Sequence, residues 1–83
     1  MMIEIIWDEP KRRANLAKHG LDFADLDEDF FNDAVVVTAH SGRRMAIGWF
    51  EGVGIVVIHV VYGLEAISVI SMRRASAAER SVL

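Results

Sequence analysis

The change of hydrophobic period near Ala34 constrains the fold of this chain more than any other feature. From there to Met72 the chain is rich in Val and Ile, and Gly-containing turn signals interrupt it at 41–42, 51–52 and 63. Short apolar runs separated by such turns are typical of β-hairpins. The pattern predicts four antiparallel strands, over about 34–39, 43–50, 53–62 and 66–72.

Two of these strands have informative side-chain patterns. The strand over 53–62 is apolar on both faces, with His59 as its one interruption, which is typical of a central strand. In the strand over 43–50, Met45, Ile47 and Trp49 alternate with Arg44, Ala46 and Gly48. One side of that strand is therefore expected to face the core.

The segment before Ala34 has the signals of helices. After a first strand over 2–6, Asp8 can cap a helix, with Pro10 in its first turn and Gly20 as its C-cap. Asp22 is predicted to cap a second helix.

In that second helix the apolar face is formed by Phe23, Leu26 and Phe30. Near the C-terminus, Ser76 and Glu79 have the spacing of a capping box at the start of a short last helix. The resulting order, β-α-α-β-β-β-β-α, predicts an α+β fold in which helices cover one face of a mostly antiparallel sheet.

Length and composition limit the other possibilities. A chain of 83 residues is expected to form one domain over 1–83. It has no Cys, which rules out disulfides and fits a reducing compartment. We find no signal peptide and no apolar run long enough for a membrane span, so a cytoplasmic location is expected. The hydrophobic content of 53% is high for this length and suggests a partner, either a second copy or another protein.

Charge is segregated along the chain. The net charge is −3, but half of the twelve acids lie between positions 22 and 33, and none of the nine Lys and Arg residues lies there. One surface could therefore meet phosphate while another repels it. The acidic run can be a solvated helix face or a docking face for a basic partner.

The first predicted helix carries a polar stripe. Spacings of four and three residues put Lys11, Asn15 and Lys18 on one side, opposite Leu16, with His19 at the helix end. The stripe is either an ordinary solvated face or a surface that contacts phosphate.

Two motifs resemble those of the BrnT family of ribonuclease toxins, which belong to type II toxin-antitoxin systems. The first is Trp7-Asp8-x-x-Lys11-x-x-x-Asn15-x-x-Lys18-His19-Gly20-x-x-Phe23. The second is Ile70-Ser71-Met72-Arg73-Arg74-Ala75, followed by Glu79-Arg80, with Met72 where the family usually has Ala. Together with the hairpins between the two motifs, the resemblance covers nearly the whole chain.

The resemblance implies a RelE-like fold and RNA cleavage that inhibits translation. It also implies a BrnA-type antitoxin with a ribbon-helix-helix DNA-binding part. Within the two motifs, the positions of interest are Lys11, Asn15, Lys18, His19, Ser71 and Arg73, whereas Trp7 and Asp8 are interpreted as structural.

Cleavage of RNA without a metal needs a proton acceptor, a proton donor and cations for the phosphoryl oxygens. No metal-ligand spacing or phosphate-binding loop is recognisable, so we expect no metal ion and no cofactor. His19 is the candidate acid-base group, because imidazole can exchange a proton near neutral pH. Arg44 and Arg73 are the candidates for holding the scissile phosphate.

The predicted RNA-binding residues are Lys11, Asn15, Lys18, Arg43, Ser71 and Arg74. His40 is expected in a turn, and His59 is expected to be hydrogen-bonded within the sheet. A non-catalytic module of the same fold, which binds RNA or a protein, is the alternative function.

Overall fold

The computed structural model describes residues 3–83, so Met2, the predicted first residue of strand one, lies outside the described residues. The strands are β1 (Glu4–Trp7), β2 (Val35–Thr38), β3 (Arg44–Phe50), β4 (Val53–Tyr62) and β5 (Ala66–Arg74). The helices are α1 (Glu9–His19), α2 (Glu28–Asp33) and α3 (Ala77–Arg80). The predicted α+β architecture is thus confirmed, and β4 has the predicted bounds.

One sheet contains all five strands in the order β1-β5-β4-β3-β2. The β2–β3, β3–β4 and β4–β5 pairs are antiparallel, whereas β1 pairs with β5 in parallel. The last residue of β1, Trp7, lies opposite Val69. The remainder of β5 therefore has an edge that β1 does not cover.

The main core lies between the sheet and the N-terminal helical segment. Phe23, Leu26 and Phe30 pack there against buried residues of β3, β4 and β5, which are Ala46, Ile55, Val57, Val69 and Met72. A smaller cluster on the opposite face joins Ile47, Val56 and Ala75. α3 follows Ala75 and lies on this second face of the sheet, where Arg80 approaches Gly54.

The predicted caps are confirmed. The Asp8 side chain accepts a hydrogen bond from the Lys11 backbone N–H, and Gly20 ends α1 with a φ of 70°. Ser76 and Glu79 form the capping box of α3. These local signals fix where α1 and α3 begin, since each cap satisfies backbone N–H groups that a helix leaves unpaired.

The second predicted helix is wrong in its extent. Asp22 caps only a 3-10 turn over Phe23–Asp25, and α2 begins later, with Asp27 as its N-cap. Each of the two aspartates accepts a hydrogen bond from a backbone N–H, so the segment turns twice. The apolar residues still reach one core, because Phe23 points there from the turn and Phe30 from the helix.

β5 contains a bulge. Ser71 pairs with Ile58 and Val69 pairs with His59, so Ile70 has no partner in β4. An extra residue of this kind changes the direction in which the neighbouring side chains point. No helix among residues 3–83 is long and apolar enough to cross a membrane.

Gly48 and Gly54 provide a matched test of the core. A Cβ at Gly48 would lie 2.9 Å from Cε1 of the buried Phe30 ring, whereas one at Gly54 would meet the flexible Arg80 side chain at 2.9 Å. We expect Gly48→Ala to lower the free energy of unfolding by about 1–3 kcal/mol through overpacking. Gly54→Ala should change it by less than about 1 kcal/mol, because Arg80 can move. Urea denaturation measures both; equal losses would contradict this packing.

Candidate functional site

Asn15 is the residue that joins α1 to the sheet. Its side chain is 8% exposed, and it faces the part of the β5 edge that β1 leaves open. The amide Nδ2 donates to the Met72 carbonyl at 2.9 Å and the Leu21 carbonyl at 3.2 Å, while Oδ1 accepts from the Met72 N–H at 3.1 Å. At this point of the edge, Asn15 thus makes the hydrogen bonds that a neighbouring strand would otherwise make.

This contact corrects the predicted orientation of α1. Asn15 was expected on a polar face directed away from the apolar side of the helix, yet it is buried, and Leu16 on the other side is 39% exposed. The polar stripe packs against the sheet edge because the edge presents backbone N–H and C=O groups, which an amide can pair and a leucine cannot. Both polar atoms of Asn15 are therefore engaged within the protein.

A groove lies between α1 and β5, beside this contact. It has a volume of about 300 Å³ and is lined by Lys11, Ala14, Asn15, Lys18, His19, Ile70 and Ser71. Four of the predicted site residues, Lys11, Lys18, His19 and Ser71, therefore contribute to one surface together with Asn15. The lining contains no carboxylate, so its ionisable groups can only be neutral or positive near neutral pH.

The bulge in β5 shapes the floor of this groove. Ile70 and Ser71 are adjacent in sequence and would normally point to opposite faces of the sheet. Both nevertheless line the groove, at the point where Ile70 has no partner in β4. The bulge was not recognised in the sequence.

Arg12, which was not among the predicted site residues, holds α1 in place at the end of the groove. Its guanidinium forms hydrogen bonds with both carboxylate oxygens of Asp22, at 3.1 and 3.0 Å, and with Glu9, at 2.6 and 2.8 Å. The Arg12 and Trp7 side chains that donate to Glu9 lower the pKa of its carboxyl to about 2. The network ties α1 to the turn after His19, and thereby holds that end of the helix.

Arg73 lies two residues after Ser71 on β5, but its guanidinium points to α3. It forms a bidentate pair with Glu79, at 2.8 and 2.9 Å, and also donates to the Arg74 carbonyl. The hydrogen bonds from Arg73, followed by the one from the Ser76 backbone, lower the pKa of Glu79 to about 2. The pair raises the pKa of Arg73.

Arg44 is on the other side of the sheet. It pairs with His59 and shares the helix-covered face with Ala46, whereas Arg73 pairs with Val56 on the opposite face. From strand spacing and residue rise, the two Cα atoms are about 14 Å apart. His19, Arg44 and Arg73 therefore do not share one pocket, which corrects the expectation that they converge.

The other predicted residues lie outside the groove. Arg43 follows the turn over His40–Gly42 and is exposed, and Arg74 is exposed at the end of β5. His59 is 2% exposed and hydrogen-bonded within the sheet, as predicted. Among the residues that the structure describes, no group of three or more His, Cys, Asp or Glu is arranged to hold a metal ion.

The acidic segment forms a separate concavity. Asp25, Asp27, Asp29 and Asp33 line it together with Phe30, Trp49, Phe50 and Glu51. This concavity shares no residue with the groove, although Asp22 of the same acidic segment pairs with Arg12 of α1.

These features define a small α+β protein with a basic groove at a sheet edge, a type of surface suited to a phosphate backbone. The family model described as "Ribonuclease toxin, BrnT, of type II toxin-antitoxin system" matches residues 7–79. The crystal structure of the Brucella abortus ribonuclease toxin BrnT is 58% identical in sequence, with a TM-score of 0.85. The match covers 90% of this chain and 99% of that one.

No relative among curated protein sequences matches at a significant level. The family match covers most of the chain, and the similar solved structure agrees with it in fold and name. The chain belongs to the BrnT family of ribonuclease toxins of type II toxin-antitoxin systems.

The Asn15 contact predicts a large effect from a small truncation. Asn15→Ala removes three hydrogen bonds and leaves the buried N–H and C=O of Met72 without partners. We expect the free energy of unfolding to fall by about 2–4 kcal/mol, since an unpaired buried polar group costs about 1–3 kcal/mol. Lys18→Ala, an exposed truncation in the same helix, is the control and should cost less than about 0.5 kcal/mol. Similar losses in the two variants would show that Asn15 does not anchor the helix.

The Arg73–Glu79 pair predicts a stability change with pH. The pKa of Glu79 is lowered from its ordinary 4.5 to about 2 in the folded state. The ion pair therefore stabilises the fold above about pH 4.5 and loses this effect as the pH falls towards 2. Glu79→Gln keeps a capping side chain but removes the charge. The difference in melting temperature between wild type and Glu79→Gln should shrink between pH 5 and about pH 2; a constant difference would contradict the pairing.

Proposed function

We propose that this chain is an endoribonuclease that cleaves RNA without a metal ion, and that the groove between α1 and β5 holds the RNA backbone. One observation supports this most strongly: Lys11, Lys18 and His19 line a single groove that contains no carboxylate. Two ammonium groups attract phosphate, and the imidazole supplies a group that exchanges protons.

The reaction assigned to this groove is transesterification within RNA. His19 accepts the proton of a ribose 2′-hydroxyl, and the 2′-oxygen forms a bond to the adjacent phosphorus. The bond from phosphorus to the 5′-oxygen breaks, and an ammonium group of Lys11 or Lys18 gives that oxygen a proton. The products are a 2′,3′-cyclic phosphate and a 5′-hydroxyl. The remaining positive charge stabilises the phosphoryl oxygens as negative charge grows on them.

Arg73 has a conditional role in this proposal. It lies two residues from Ser71, on the strand that forms one wall of the groove, but its guanidinium is paired with Glu79. To grip a phosphate it has to exchange the carboxylate for phosphate oxygens, which have a similar bidentate geometry. Ser71 and the exposed Arg74 contribute further hydrogen bonds to the same stretch of RNA.

The cellular role follows from the family. We propose that RNA cleavage by this chain inhibits translation in the cytoplasm and that a BrnA-type antitoxin, which carries a ribbon-helix-helix DNA-binding part, neutralises it. Exposed apolar residues on the sheet face opposite α2, including Val35, Val37 and Trp49, support a protein partner there. This partner is either the antitoxin or a second copy of the chain.

A non-catalytic module that binds RNA or a protein is the second candidate. The observation that favours it is internal pairing, since Arg73 is paired with Glu79 and Asn15 is hydrogen-bonded to the Met72 backbone. Two groups expected to contact RNA therefore have protein partners instead. Such a module would bind RNA and leave it intact.

Cleavage of a labelled RNA by the purified protein in EDTA tests the proposal. His19→Ala should slow cleavage by about 10²–10⁴-fold, the usual effect of removing an acid-base group. His40→Ala, which removes an exposed histidine of a turn, is the matched control and should cleave at the wild-type rate. The products should carry 2′,3′-cyclic phosphate and 5′-hydroxyl ends.

Expression in a bacterial host provides the cellular readout. Wild type should arrest growth, whereas His19→Ala and co-expression of the antitoxin should each restore it. RNA that is bound but not cut, with an affinity that falls as salt rises, would favour the non-catalytic module. If His19→Ala cleaved RNA at the wild-type rate, the groove would not be the site of the reaction.

A further inference from the structure

A second cavity lies on the helix-covered side of the sheet, beyond the end of α2. Its volume is about 360 Å³, within the usual range for a small-molecule site. It shares no residue with the groove. Its walls are mostly apolar, and three polar residues converge on it: Asn32, Arg44 and His59.

His59 is the most constrained of the three. It is 2% exposed, and its Nδ1 lies 3.1 Å from the Val57 carbonyl. A carbonyl oxygen only accepts hydrogen bonds, so Nδ1 carries the proton and donates it. Burial lowers the pKa of the imidazole, and the nearby charge of Arg44 acts in the same direction. The ring is therefore neutral near pH 7, and its Nε2 presents a lone pair.

That Nε2 has no hydrogen-bond partner among residues 3–83. No unpartnered side-chain N or O atom is completely enclosed in that part of the chain, so Nε2 retains contact with the cavity. His59 lines the apolar cavity, and an acceptor there without a protein partner favours a ligand that brings its own N–H or O–H group.

Aromatic and cationic groups surround this acceptor. The ring centroid of Phe31 lies 5.1 Å from that of His59, at an interplanar angle of 68°. Arg44 pairs with His59 across the β3–β4 ladder, is exposed, and forms no ion pair within the described residues. The exposed Asn32 adds an amide with both a donor and an acceptor.

We propose that this cavity binds one nucleotide of single-stranded RNA, with its base inside and its phosphate on Arg44. The inference rests on the proposed function, which makes RNA the substrate. Apolar and aromatic walls suit the faces of a base, while Nε2 of His59 and the Asn32 amide can pair with its edge. Arg44 provides the planar fork that phosphate oxygens prefer.

Other ligands fit the same surroundings less well. Inorganic phosphate would pair with Arg44 but leave the apolar walls and the His59 acceptor unused. A purely aliphatic ligand would leave Nε2 and the Asn32 amide without partners. A base that is splayed out of single-stranded RNA satisfies all three kinds of group. The cavity therefore determines which base is preferred at one position, at a distance from the groove where cleavage takes place.

Titration of the ¹⁵N-labelled protein by NMR tests the inference. The probes are the four nucleoside 5′-monophosphates, the four nucleosides and inorganic phosphate. We expect one monophosphate to bind most tightly, with shifts at Phe31, His59 and Leu64. Its nucleoside should bind about tenfold more weakly, because it lacks the phosphate.

Variants at the cavity mouth avoid the buried histidine. Leu64 is 74% exposed, so Leu64→Trp should fold normally, fill the entrance and weaken binding of the monophosphate at least about tenfold. Val82→Trp, at an exposed position away from the cavity, should leave binding unchanged. Arg44→Ala should weaken binding of the monophosphate but not of the nucleoside, and Arg13→Ala is its control.

RNA cleavage separates this inference from the proposed function. With Leu64→Trp, we expect a random-sequence RNA still to be cleaved, but with a loss of base preference at one position and a weaker apparent affinity for the RNA. Two outcomes would overturn the cavity proposal alone, provided that wild type cleaves RNA. The first is that wild type binds no nucleotide, and the second is that Leu64→Trp binds the nucleotide as tightly as wild type does. Equal binding of phosphate and nucleotide would also overturn it. Nucleotide binding with the expected variant effects, but without RNA cleavage, would support the cavity and overturn the nuclease.

Discussion

The paired hydrogen bonds between the Asn15 amide and the Met72 backbone are the contact on which the rest of the site depends. β1 stops opposite Val69, so the following part of β5 has an open edge with buried backbone groups. A second strand could have covered it, but the chain places a helix there. Because a side-chain amide carries a separate N–H donor and C=O acceptor, like a peptide group, Asn at this position lets a helix satisfy a strand edge. The basic groove exists beside that contact because α1 is held to the edge by polar groups.

This arrangement divides the positive charge of the protein between two faces. Side chains alternate across a strand, so Ser71 and Arg73 belong to the face opposite Met72, whereas Arg44 shares the face covered by α2. The groove lies at the edge, where the two faces meet. A nucleic acid bound there can reach Arg73 by local rearrangement, whereas Arg44 remains on the other side of the β4 strand. The sheet therefore places these two arginines on different faces, and the two proposals give them different roles.

Local signals in the sequence predicted the elements well, and the failures have physical reasons. Caps at Asp8, Gly20 and Ser76 act within a few residues, so spacing reveals them. The face of α1 could not be predicted in this way, because it depends on where β1 ends relative to β5. The alternation in β3 predicted that one side of the strand faces the core, but it did not predict which side. The small residues Ala46 and Gly48 face the core, since the Phe30 ring fills the space above them. The groove members were found from the motifs, whereas the bulge at Ile70 and the cavity around His59 arise from strand register and had no recognisable signal.

Under the proposed function, Arg73 has to exchange its pairing with Glu79 for a phosphate. The two side chains retain 37% and 20% of their exposure, so solvent screens the ion pair and lowers the cost of separating it. A phosphate offers the same bidentate acceptor geometry with an equal or greater charge, so the exchange of partners costs little once RNA lies in the groove. Glu79 also accepts a hydrogen bond from the Ser76 backbone N–H at the cap of α3, and this bond does not involve Arg73. The cap of α3 is therefore independent of the Arg73 pair, so the proposed exchange does not require the last helix to unfold.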